Sequence, residues 1–104
     1  MNRHLAMAAF ALLVACSPPA MFAVDVDEEI EGGKLVLNGK SAGLMKNVDG
    51  AYWAKWDGSD ADGFIEIRYP DGDTVRCRVG YVTHGMEPQR FEVRDRTCSM
   101  ISDR

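Results

Sequence analysis

The sequence lacks any long apolar run. Its longest, Leu5 to Ala15, has 11 residues, well short of the ~20 a helix needs to cross a bilayer. It lacks an excess of positive charge as well. Twelve Lys and Arg stand against 16 Asp and Glu, for a formal net charge of −4, which excludes a strongly basic nucleic-acid binder on bulk charge, and no nucleic-acid partner is expected. Histidine is scarce: only His84 lies beyond the first few residues. One imidazole with no Gly-x-Ser-x-Gly elbow makes no triad. There is no closely paired cysteine motif for zinc and no phosphate-cradling glycine loop. Asp57, Asp60 and Asp62 precede Gly63, but placing Gly63 sixth in a calcium loop puts Gly58 first and Tyr69 twelfth, and neither suits. No metal, cofactor or catalytic residue is therefore expected.

What is present begins with an export leader. Met1-Asn2-Arg3-His4, the apolar run and then small residues follow the order of a secretory signal. Leu13-Val14-Ala15-Cys16 resembles the lipobox of bacterial lipoproteins. The resemblance implies cleavage before Cys16 and acylation of its sulfur. With Ser17 next, it implies an outer-membrane anchor facing the periplasm. Ordinary cleavage after Ala20 or Ala23, giving a periplasmic or secreted protein, is the alternative the residues leave open.

Three cysteines are an odd number, but either cut removes Cys16 from the thiol count. Cys77 and Cys98 are then two cysteines in an oxidising compartment, and a disulfide between them is expected. Residues 16–33 read as a lipidated, flexible tether, because Asp25, Asp27, Glu28, Glu29 and Glu31 crowd into seven positions and repel one another. The folded domain is then residues 34–104, which carry 11 basic and 11 acidic residues.

From Lys34 the apolar period is two, punctuated by turn residues. This predicts an all-β domain, a small antiparallel meander of about four to five strands. Asn38-Gly39 and Pro70-Asp71-Gly72 are the clearest turns. The second sets Tyr69 opposite Asp73, Ile67 opposite Val75 and Ile65 opposite Cys77 on the core side. Glu66 then meets Arg76, and Phe64 meets Arg78, on the outer side. A following hairpin would put Val79, Tyr81, Phe91 and Val93 in the core. Cys98 has the wrong parity for Cys77, so the chain must bend after Asp95.

The outer face predicted in this way gathers Arg68, Arg76, Arg78, Arg90 and Arg94 with Phe64 and Trp53. Arg beside aromatic residues is the composition of binding hot spots. Trp53 and Trp56 have opposite parity, so one should face the core and the other the outside. The turn His84 to Pro88, with Met86, is a second candidate surface. Val82-Thr83, Pro88, Arg90 and Val93 are also similar to the reactive-loop region of small exported serine-protease inhibitors of the potato-inhibitor-like fold, although that family's helix has no counterpart here. The expected function is that of a membrane-anchored envelope lipoprotein whose domain binds a protein without catalysis. The partner would be another envelope protein or a secreted enzyme that it inhibits. The alternatives are a structural accessory of an envelope assembly, pairing through a sheet edge, and a small secreted hydrolase built on His84.

Overall fold

The computed structural model describes residues 19–58, 60–83 and 85–101. Nine strands run in chain order: β1 (Ala20–Val26), β2 (Gly32–Leu37), β3 (Lys40–Gly43), β4 (Met45–Lys46), β5 (Tyr52–Trp56), β6 (Ala61–Arg68), β7 (Thr74–Val82), β8 (Gln89–Arg94) and β9 (Thr97–Ile101). The fold is all-β, with no helix among the described residues. The strands form a five-stranded sheet in the order β4-β5-β1-β8-β9 and a four-stranded sheet in the order β3-β2-β6-β7. One core lies between them, made by Phe22, Val24, Ala54, Phe91 and Val93 from the first sheet and Leu35, Leu37, Ile65, Ile67 and Val79 from the second.

Two turns form as their residues dictate. Asn38 (φ 51°) and Gly39 (φ 78°) both sit in the left-handed region and join Leu37 to Lys40 as paired neighbours, a two-residue hairpin that suits the strand twist. The Pro70-Asp71-Gly72 loop closes with the Tyr69 amide donating to Asp73 O at 2.9 Å. Beyond it Ile67↔Val75, Glu66↔Arg76, Ile65↔Cys77 and Phe64↔Arg78 pair in the expected register.

The register then shifts between Gly63 and Phe64, so that Gly63 meets Gly80. Gly80 takes φ 69°, and β7 carries one extra residue there. A β-bulge of this kind flips parity. Val82 is therefore buried, whereas Tyr81, expected in the core, is 65% exposed. Gly63 is required for a second reason: a Cβ on it would collide with the Val36 carbonyl oxygen of the neighbouring strand.

The tether expected over residues 16–33 is corrected from Ala20 onward. β1 is the middle strand of its sheet, antiparallel to β5 and parallel to β8. Ala20, Phe22 and Val24 are at most 1% exposed. Nor do the acids simply repel one another. Asp25 pairs with Arg94 at 3.3 Å, Glu28 with Arg96 at 3.1 Å and Glu31 with Arg68 at 3.2 Å. Asp27 accepts the Asp95 amide at 3.0 Å. The domain therefore starts at Ala20 rather than Lys34. The leader and Cys16 lie outside the described residues.

The second expected hairpin does not form either, because β7 and β8 belong to different sheets. The bend anticipated after Asp95 is a tight reversal, with Asp95 and Arg96 at φ 53° and 60°. It pairs Val93 with Cys98 and so turns Cys98 toward the core. Cys77 and Cys98 are disulfide-bonded with their Cα atoms 5.5 Å apart. The bond joins β7, an edge of one sheet, to β9, an edge of the other.

Candidate functional site

Because β7 and β8 part company, the single Arg and aromatic face read from the sequence is two faces on opposite sides of the core. Phe64, Arg76 and Arg78 do come together, on the outer side of the four-stranded sheet. Trp53, Arg90 and Arg94 lie on the outer side of the five-stranded sheet. Met86 is not a surface contact: it packs against the core, and its sulfur lies 3.4 Å from the Thr83 amide, closing the turn. His84 lies outside the described residues.

On the four-stranded sheet, pairing sets cross-strand rows. Lys34, Glu66 and Arg76 form one, and Val36, Phe64 and Arg78 the next. Glu66 is shared between Lys34 at 3.9 Å and Arg76 at 3.2 Å, as cross-strand charges of opposite sign should be. The Arg76 guanidinium also lies 4.1 Å from the centre of the Phe64 ring, a cation–π contact. Arg78, exposed in the next row, has no ion pair among the described residues. Because the bulge glycines Gly63 and Gly80 carry no side chain, a hollow of about 340 Å³ opens between Asp62, Phe64, Arg76 and Arg78. Tyr81, turned outward by the bulge, donates its hydroxyl to Asp60 at 2.8 Å beside the hollow. This face offers one guanidinium fixed on an aromatic ring, one unpaired, and open backbone between them. Such a surface can grip carboxylates and planar groups of a partner.

On the five-stranded sheet, one row runs Met45, Trp53, Ala23, Arg90 and Ile101 across all five strands. Trp53 is the outward tryptophan and Trp56 the inward one, packed against the core. Arg90 is a strand residue here, paired with Ala23 and Ile101. The β7 end at Val82, the segment with Pro88, and Arg90 and Val93 in β8 follow one another in the order of the potato-inhibitor-like resemblance, and among the described residues no helix accompanies them. Arg94 is committed to Asp25 and Glu92.

The far end of the sandwich carries a cluster that the sequence did not single out. Arg96 pairs with Glu28, Asp71 and Asp73 at 3.1, 3.0 and 2.7 Å, and its guanidinium lies 4.0 Å from the centre of the Tyr69 ring. The Glu28 and Asp71 carboxylates hold the Arg96 pKa above its usual range. The Asp73 backbone and Arg96 hold Asp71 below the usual carboxylate value. One side chain thus ties the segment after β1 and the β6–β7 hairpin to the β8–β9 turn. Its left-handed backbone is unfavourable for arginine, and the three carboxylates offset that cost. Spacing along the chain carries no signal for it, because its partners lie 68, 25 and 23 residues away.

Tyr69 beneath Arg96 is fully buried, and its hydroxyl has no hydrogen-bond partner among the described residues. Burial first, then the nearby Glu28 charge, raises its pKa above the ordinary 10.0. The sign follows directly. A raised folded-state value means that the contribution of this group is intact below about pH 10 and is lost as pH rises through the folded value. An unpaired buried hydroxyl also costs free energy. Tyr69→Phe is therefore expected to leave the unfolding midpoint at pH 7 unchanged or raised, and to flatten the decline in stability above pH 10. A fall of more than about 1 kcal/mol at pH 7 would mean that the hydroxyl has a partner after all.

Three carboxylates converge around Arg96, and no group of His, Cys, Asp and Glu suited to hold a metal ion occurs among the described residues. No protein-family model matches the chain, and searches of curated proteins and of solved structures likewise found no match.

Proposed function

We propose that this protein is a lipid-anchored envelope protein whose domain binds another protein through the outer face of the four-stranded sheet. The position of β1 carries the reading. Cleavage after Ala23 would remove Ala20 and Phe22 from the core and break up the middle strand of a sheet. Cleavage after Ala20 would cost less, but it would still delete a fully buried residue. Cleavage before Cys16 keeps every described strand, so the fold favours the lipoprotein processing that the leader suggests. Intact-mass measurement on membrane-extracted protein is expected to give a first residue Cys16 carrying acyl chains. A soluble product starting at Met21 or Val24 would overturn the reading.

The Phe64, Arg76 and Arg78 surface supports the binding half of the proposal. Binding through the edge of the longest edge strand, β7, is less favoured, because it is bonded to β9 near its middle. Exposed charges add under about 1 kcal/mol to folding, whereas an anchoring arginine can account for ~2 kcal/mol or more of binding. Arg78→Ala is therefore expected to leave the unfolding midpoint nearly unmoved and to weaken capture of the envelope partner, in crosslinking on intact cells, by about thirtyfold. Capture at full strength by a folded Arg78→Ala protein would remove this face from the proposal.

A further inference from the structure

We infer that the entry-end half of the outer face of the five-stranded sheet, around Met21, Trp53 and Arg90, is a lipid-docking surface, seated on the interfacial layer of the same bilayer that holds Cys16. This deepens the proposed function and rests on its lipoprotein reading. Four residue steps separate Cys16 from Ala20, a reach of at most ~14 Å even when fully extended. The chain enters the fold at β1, the middle strand of this sheet, so the anchor leaves from the centre of this sheet's end and not from the other sheet. The first outward side chain after entry is Met21. It lines an apolar hollow of about 360 Å³ with Ala23, Trp53, Pro88 and Arg90. Met45, 57% exposed, and Ile101 extend the same row across the sheet.

The composition of this surface suits the interface of a bilayer. Tryptophan settles at headgroup depth, with its ring among the acyl ends and its N–H in the wet layer. Methionine adapts to an irregular surface. The arginine stem can lie along apolar surface while its guanidinium reaches outward. The attraction is apolar and not electrostatic. The chain carries a formal net charge of −4, and Asp57 and Glu87 are exposed where the chain enters. Asp25 and Glu92 share this outer face and are both paired with Arg94. They lie toward the other end of β1, with Asp25 ~17 Å from Ala20 at strand rise, so the lipid contact is confined to the half of the face nearest the entry. Docked this way, the domain turns the Phe64, Arg76 and Arg78 face away from the membrane, toward a partner.

Trp53 and Trp56 are the two tryptophans, which makes the test direct. Full-length protein extracted from membranes is reconstituted into phosphatidylcholine vesicles with plain or brominated acyl chains. Flotation with the vesicles reads the anchor, and quenching of tryptophan emission reads the docking. In a Trp56→Phe variant, the Trp53 emission is expected to fall roughly twofold in brominated vesicles, since interfacial burial of ~5–10 Å brings it to the acyl chains. The quenching should persist in 1 M salt, where the Debye length is about 3 Å. If Trp56→Phe does not fold, the same quenching is read as the difference between the unaltered protein and Trp53→Phe. Protein that floats while Trp53 stays unquenched overturns the docking and leaves the anchor standing. A shift of Trp53 emission that tracks protein density without quenching overturns it in favour of contact between copies. Protein that does not float overturns both the anchor and the docking.

Discussion

Phe22→Ala is expected to destabilise the domain by about 3–5 kcal/mol, and a chain beginning at Val24 is expected not to fold. Phe22 is 1% exposed in the middle strand of the five-stranded sheet, and its truncation leaves a cavity that neighbours on both sides can only partly fill. The truncated chain loses more. A start at Val24 removes Ala20, Met21, Phe22 and Ala23, four of the five residues of β1 paired with β5, and two of the five paired with β8. That separates β4-β5 from β8-β9 and opens the core to water. A domain of this size has only about 5–15 kcal/mol in hand, and small ones sit at the low end. Denaturant unfolding of Phe22→Ala, and circular dichroism of the protein starting at Val24, measure both. A cooperative transition in the truncated protein, with an unchanged midpoint, would mean that β1 is an ornament of the sheet, and the argument for cleavage before Cys16 would go with it.

β1 is also where sequence reading and structure part most clearly, and the reason is physical. In Ala20-Met21-Phe22-Ala23-Val24 both faces are apolar or small, so the alternation that marks a half-buried strand does not appear until Val24-Asp25-Val26. The acids that follow look like a solvated linker because the partners of Asp25, Asp27 and Glu28, namely Arg94, Asp95 and Arg96, are about 68 residues away, and that of Glu31, Arg68, is remote as well. The parallel pairing of β1 with β8 leaves no turn residue to announce it, whereas hairpins announce themselves locally. That is why Asn38-Gly39 and Pro70-Asp71-Gly72 could be read and the register from Phe64 to Val75 followed from them.

The candidate site divides along the same line. Phe64, Arg76 and Arg78 share a face because one legible turn sets their register. Arg90 and Arg94 were expected beside them only because the β7–β8 connection looked like another hairpin. A signal for the discrepancy does exist in the chain. Gly80 stands alone inside an otherwise alternating apolar and polar strand pattern, and an isolated glycine there marks a bulge. Read so, it would have turned Tyr81 outward and Val82 inward. The split into two sheets has no such local sign, because it depends on β1 occupying the place beside β8.

Replacing both Cys77 and Cys98 with alanine is expected to lower stability by about 3 kcal/mol, and to loosen β9 before the rest of the domain. The magnitude follows from the separation of 21 residues: in the chain-entropy model a loop of that length restricts the unfolded ensemble by about 3 kcal/mol. The locality follows from topology. β9 is an edge strand of five residues, paired only with β8, and none of its residues is fully buried. The bond to Cys77, itself 1% exposed, is what holds it over the seam between the sheets. Alanine at both positions is the cleaner comparison, since serine at Cys77 would bury an unpaired hydroxyl and add a cost of its own. Hydrogen exchange on the double variant is expected to show Thr97–Ile101 amides losing protection under conditions where Ile65 and Ile67 remain protected. Uniform loss across both sheets would mean that the bond acts only through the unfolded chain. Unchanged protection of β9 would mean that pairing with β8 suffices to hold the seam closed.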